Sequence, residues 1–122
     1  MKSLFNSTFI NDPARLSFPY KGGVYFFMST QIIRLEADSN YTHIFFNNHK
    51  PIMMAKVLCD YQRLLEPLGF IRTHRSHLIN KQHISSVHQN GDIIMDDNSK
   101  AAISRSKRRE VFNELKNEFQ AA

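Results

Sequence analysis

The chain contains no tryptophan and one cysteine, and it has four glycines and four prolines in 122 residues. A single cysteine excludes an internal disulfide framework and a cysteine-rich zinc site, and it fits a reducing compartment. Cys59 stands among apolar residues of a predicted helix, where a small buried hydrophobe is the expected role rather than a nucleophile. No uninterrupted apolar run approaches the ~18 residues that suggest a membrane-spanning helix. The opening stretch, Met1 to Asp12, lacks the apolar core of a signal peptide. A soluble, cytoplasmic protein with no membrane partner is expected. Acidic side chains are missing from two windows, Ser39 to Cys59 and Pro67 to Gly91.

What is present is a globular balance, 42% hydrophobic and 22% charged, which argues against global disorder. Lys and Arg number 16 against 11 Asp and Glu, a net charge of +5. That excess favours an anionic partner without naming it, so nucleic acid, an anionic membrane surface and an acidic protein all fit. The second acid-free window holds Arg72, His74, Arg75, His77, Lys81, His83 and His88, and a further basic cluster is Arg105, Lys107, Arg108 and Arg109. Single-sign stretches of this kind suggest a surface that faces anions.

Residues 1–16 read as a tail or linker, or as a short element that docks elsewhere, and residues 17–122 as one domain. Val24 to Met28 is β-prone. Gln31 to Ala37 alternates, with Ile33, Leu35 and Ala37 on one face and Arg34 and Glu36 on the other. Tyr41 to Phe46 and Pro51 to Met54 are further strands across an Asn47-Asn48 turn. Val57, Leu58, Tyr61, Leu64 and Leu65 recur at helical spacing until Pro67 and Gly69. Asn90-Gly91 signals a hairpin, Ile93 to Met95 and Lys100 to Ile103 are strands, and Val111, Phe112, Leu115 and Phe119 mark a terminal helix. Many short, hairpin-connected strands predict antiparallel pairing rather than a doubly wound fold.

Phe70 to Asn80 is unusual. As one strand, each of its faces is apolar at both ends and polar in the middle, so either it crosses an open edge or it bends into a loop that presents Arg75 and His77. The terminal helix begins with Lys107, Arg108 and Arg109, whereas the positive end of a helix dipole disfavours cations by roughly 0.3–1 kcal/mol each. An anion bound there would reverse that sign. A metal site is not supported, because His74 and His77 face opposite ways on a strand and no Cys, Asp or Glu adjoins them. No catalytic constellation, phosphate loop or cofactor motif is present, so neither enzyme activity nor a cofactor is expected.

Three ordered motifs resemble one family. Ile33-Arg34-Leu35-Glu36-Ala37-Asp38-Ser39-Asn40-Tyr41 is similar to its opening hallmark, Phe70 to Asn80 to its Phe-x-Arg-x-His-Arg-Ser centre, and Ile103-Ser104-Arg105-Ser106 to its closing Ser-Arg-Ser. This is the LytTR family of bacterial DNA-binding domains, and the resemblance covers roughly Ser17 to Phe119. It implies a mainly β, elongated fold of about ten short, mostly antiparallel strands in three small sheets, with one or two short helices. It implies sequence-specific binding of double-stranded DNA by loops and strand ends rather than a recognition helix, in a transcription regulator that commonly follows a receiver domain in a two-component response regulator. Paired direct repeats as the target, with a monomer alone and a dimer on DNA, also follow from the resemblance.

By motif position, Thr42 or His43, then Arg75, then Arg105 are the base-contact residues; the two arginines suit bidentate contact with guanine. Asn40, His74, Ser76, His77, Lys81, Ser106, Lys107 and Arg108 are phosphate-contact residues. Structural roles compete for several: turn formation for Asn40 and Asn80, internal hydrogen bonding for His74 and Ser76, and pairing with Glu36 or Asp38 for Arg72. No receiver-length segment precedes the motifs here, so the chain reads as an excised output domain or a stand-alone regulator. The competing function is a protein-interaction module that meets an acidic partner without sequence-specific DNA binding.

Overall fold

The structure, a computed structural model, describes residues 13–122. Expectations for the tail up to Asp12 lie outside the described residues. In chain order the strands are β1 Arg15–Tyr20, β2 Gly23–Met28, β3 Ile32–Asp38, β4 Tyr41–Phe46, β5 His49–Met54, β6 Phe70–His74, β7 His77–Asn80, β8 Ile84–Val87, β9 Asp92–Met95 and β10 Lys100–Ala102. The α-helices are α1 Leu58–Leu65 and α2 Arg108–Glu118. The strands form three antiparallel sheets, ordered β1-β2, β5-β4-β3-β7-β6 and β10-β9-β8. The mainly β, three-sheet fold expected from the motifs is the one observed.

The five-stranded sheet is the middle layer, covered along one face and, over β3, β7 and β6, on the other as well. One face, with Ile32, Leu35, Ile44, Phe46, Ile52, Phe70 and Leu78, packs against Phe18 and Phe27 of β1-β2 and against Leu58, Tyr61 and Leu65 of α1. The other, with Ile33, Ile71 and Ile79, packs against Ile93, Met95, Ala101 and Ile103, and against Val111 and Leu115 of α2. Each such aliphatic or aromatic side chain, fully buried, contributes about 1.5–3 kcal/mol. Cover on both faces buries the first half of β3, Ile32 to Leu35, including Arg34, whereas its end at Asp38 is exposed.

Four register shifts break simple alternation, and two of them shape the core and the site. A register shift between Ile32 and Arg34 makes Ile33 an extra residue in β3, so Ile33 and Leu35 enter different cores instead of sharing a face. A second shift, between Arg72 and His74, makes Thr73 the extra residue in β6. Helix α1 buries a narrow stripe of Leu58, Tyr61 and Leu65, which leaves Val57, Cys59 and Leu64 exposed. Cys59 is therefore not the buried hydrophobe expected: it sits one residue, about 100°, round the helix from Leu58. Gly69 ends the following single turn at φ 99°, a left-handed conformation natural to glycine.

Candidate nucleic-acid interface

Phe70 to Asn80 bends. Strands β6 and β7 form a hairpin with Arg75 and Ser76 at its tip, and Arg75 is exposed there. Arg72 braces the tip from below, donating from Nε to the His74 carbonyl at 2.9 Å and from a terminal nitrogen to the Arg75 carbonyl at 2.6 Å. Its other terminal nitrogen donates to Gln62 Oε1 of α1 at 2.7 Å. Arg72 therefore pairs with neither Glu36 nor Asp38; Arg34 takes Glu36 at 2.7 Å. His74 Nδ1 accepts from the Ser76 amide at 3.0 Å, and the Ser76 carbonyl accepts from Ala37 at 2.9 Å. The second bond fastens the tip to the end of β3, beside the Ser39-Asn40 turn.

The bulged Thr73 does the corresponding work on the other side. Its hydroxyl donates to the Ala102 carbonyl and its own carbonyl accepts from the Ser104 amide, both at 2.8 Å. These bonds join the five-stranded sheet to the three-stranded sheet where the chain turns at Arg105–Lys107 and enters α2. Three turns thus lie along one rim: Ser39-Asn40, Arg75-Ser76 and Ser104–Lys107. A shallow concavity lined by Gln62, Arg72, His74, Arg75, Ser104 and Lys107 connects the last two. Asn40, Arg75, Arg105, Ser106 and Lys107 are all exposed.

Behind the rim, the registers align His43 with Glu36, Glu36 with His77, and His77 with His74, one row across four strands. His74 and His77 are cross-strand neighbours with ring centroids 5.3 Å apart, not residues on opposite faces of a single strand. His77 is half-buried rather than presented outward, and burial lowers its pKa below 6.5, with Glu36 opposing the shift and His74 and Arg34 adding to it. His43 is partly exposed and its Nε2 lies 3.0 Å from Asp38 Oδ2.

Two expected contact residues are held by internal partners. Thr42 has no exposed surface, and its hydroxyl donates to the Lys56 carbonyl at 2.6 Å, so of the Thr42–His43 pair only His43 keeps exposed surface. Lys81 follows the far end of β7 and is ion-paired with Glu118 at 3.1 Å, where it ties α2 to the sheet. Asn80 is structural: its amide donates to the Ile32 carbonyl at 2.9 Å and its oxygen accepts from the Gln82 amide at 3.0 Å. Arg108 is half-buried, with its guanidinium against Gly91. Among the described residues, the buried side-chain polar atoms without a hydrogen-bond partner are His77 Nδ1, Ser104 Oγ and Arg108 Nε, all at or just behind this rim.

Sequence reasoning missed the bracing role of Arg72 and the outward face of α2, where Arg109 and Lys116 join Arg105 and Arg108. The spacing of 105, 108 or 109, 112 and 116 follows the helical period, so that face was open to discovery. Among the described residues there is no cluster of metal-ligating side chains, and no helix long and apolar enough to cross a membrane.

Three antiparallel sheets with a cation-rich rim of turns define a mainly β domain with an anion-facing edge. Residues 22–116 match the LytTr DNA-binding domain, and the chain belongs to that family. It is a family of DNA-binding domains. Among solved structures, the chain is similar to the LytTr DNA-binding domain of a putative methyl-accepting/DNA response regulator from Bacillus cereus, with a TM-score of 0.71 and 21% identity over 85% of this chain and 97% of that one. No curated protein matches.

Proposed function

We propose that this DNA-binding domain recognises a particular duplex sequence and serves as the output domain of a bacterial two-component response regulator, controlling transcription. Arg75 and Arg105 read bases, each through the planar fork that matches guanine O6 and N7, and His43 reads a third position. Asn40, His74, Ser76, Ser106, Lys107 and Arg108 hold backbone phosphate, and His77 supports the hairpin behind them. The observation that carries this reading is the fastening of the Arg75 tip and the Arg105 turn to one rim through Thr73. Two exposed arginines on separate, braced turns suit successive contacts along a groove better than a single diffuse patch. We further propose a target of paired direct repeats, occupied by two copies of the domain that are monomeric off DNA, and a receiver domain upstream in the regulator.

Arg75→Ala and Arg105→Ala should each cost ~1–3 kcal/mol of binding and relax preference at one base position. Quantitative binding to a panel of singly substituted duplexes reads both effects. Full affinity and an unchanged preference profile in both variants would sink the base-contact assignment.

A further inference from the structure

Helix α2 sorts its charges by face. Glu110 and Glu114 line a groove toward the five-stranded sheet with Lys81 and Lys107, and Glu118 pairs with Lys81. The opposite face carries Arg108, Arg109 and Lys116, and with Arg105, Gln89, Phe112 and Asn113 these line an open cleft with no carboxylate in its walls. Four cations sharing a cleft without a counter-charge repel one another, which costs stability unless an anion occupies the space.

On the Arg108 side, the cleft borders a neighbouring turn. Gly91, in the β8–β9 turn at φ 99°, lies directly beneath the Arg108 guanidinium, and a Cβ at that position would stand 2.7 Å from Nε and 2.9 Å from a terminal nitrogen. The absence of a side chain at Gly91 lets the guanidinium plane rest on the turn. Arg108 Nε is buried there with no hydrogen-bond partner. The group is thus held in place by packing rather than by a carboxylate, which leaves its charge for a ligand.

We propose that this cleft binds two backbone phosphates of the DNA flank beyond the bases approached by Arg105, with Arg109 and Lys116 as phosphate contacts and Gly91 as the seat that orients Arg108. The proposal rests on the sequence-specific DNA-binding reading above and extends its footprint along α2. DNA is favoured over an acidic protein because Arg105 belongs both to this cleft and to the proposed base-reading rim, so an anion seated here lies in line with the duplex.

The test uses the 122-residue chain, the duplex it selects from a random pool, and a scrambled duplex of equal length. The double variant Arg109→Ala/Lys116→Ala changes two exposed side chains. It should bind both duplexes about tenfold more weakly, and the slope of log affinity against log salt should fall by about 2, one counterion per lost phosphate contact. Base preference should not change. Trimming the selected duplex on the Arg105 side should remove the difference between variant and wild type. Unchanged affinity and salt slope, with selective binding intact, overturns the cleft and leaves the proposed function standing. A wild-type chain that selects no duplex overturns the proposed function, and this inference with it.

Discussion

Arg72 and Arg75 are three residues apart and carry the same charge, yet the structure gives them different tasks. Arg75 is exposed at the hairpin tip, whereas Arg72 spends its donors on the carbonyls of His74 and Arg75 and on Gln62. Arg72 is therefore a positioning residue. Its three hydrogen bonds from a charged group are partly exposed, so Arg72→Ala should cost about 1–3 kcal/mol of folding stability. The same variant should blur preference at the base assigned to Arg75 and leave the base assigned to Arg105 unaffected. Denaturant titration together with a single-substitution duplex panel checks both; a uniform loss at all positions would reduce Arg72 to a merely structural residue. Cys59 makes the complementary point. Its apolar neighbours suggested burial, but the stripe Leu58, Tyr61 and Leu65 is narrow and the thiol stands beside it.

At the scale of elements, the two bulges matter most. Thr73, displaced from the β6 ladder, turns its hydroxyl to Ala102 and its carbonyl to Ser104. Thr73→Val keeps shape but removes the donor, leaving a part-buried carbonyl short of a partner at a cost of about 1–3 kcal/mol. Because this joint holds the Arg105 turn beside the Arg75 tip, the variant should also weaken binding to the selected duplex more than to a scrambled one. Thermal unfolding and paired affinities measure the two effects, and equal loss on both duplexes would contradict a role in alignment. The existence of nearly every strand was legible from apolar runs and turn residues such as Asn90-Gly91. The bulges were not, because pattern reading assumes unbroken alternation, and one extra residue reverses every assignment beyond it. That is why Ile33 was grouped with Leu35 and why the tip at Arg75 could be stated only as one of two outcomes.

For the whole molecule, burying β3, β6 and β7 on both faces of the five-stranded sheet leaves turns and edges to carry function. The site is accordingly a rim of turns collected from distant parts of the sequence. Charge placement alone indicated a face carrying Arg75 and Arg105, and three motifs resembling one family indicated duplex DNA. Neither could separate Thr42 from His43, or Lys81 from the contact set, since both distinctions depend on tertiary partners: the Lys56 carbonyl in one case and Glu118 in the other. The most direct test of the central claim is selection of bound duplexes from a random DNA pool by the 122-residue chain, at a stated salt concentration because phosphate contacts make affinity salt-dependent. Recovery of a common motif, degraded at one position by Arg75→Ala and at another by Arg105→Ala, is the predicted result; recovery of no motif would contradict it.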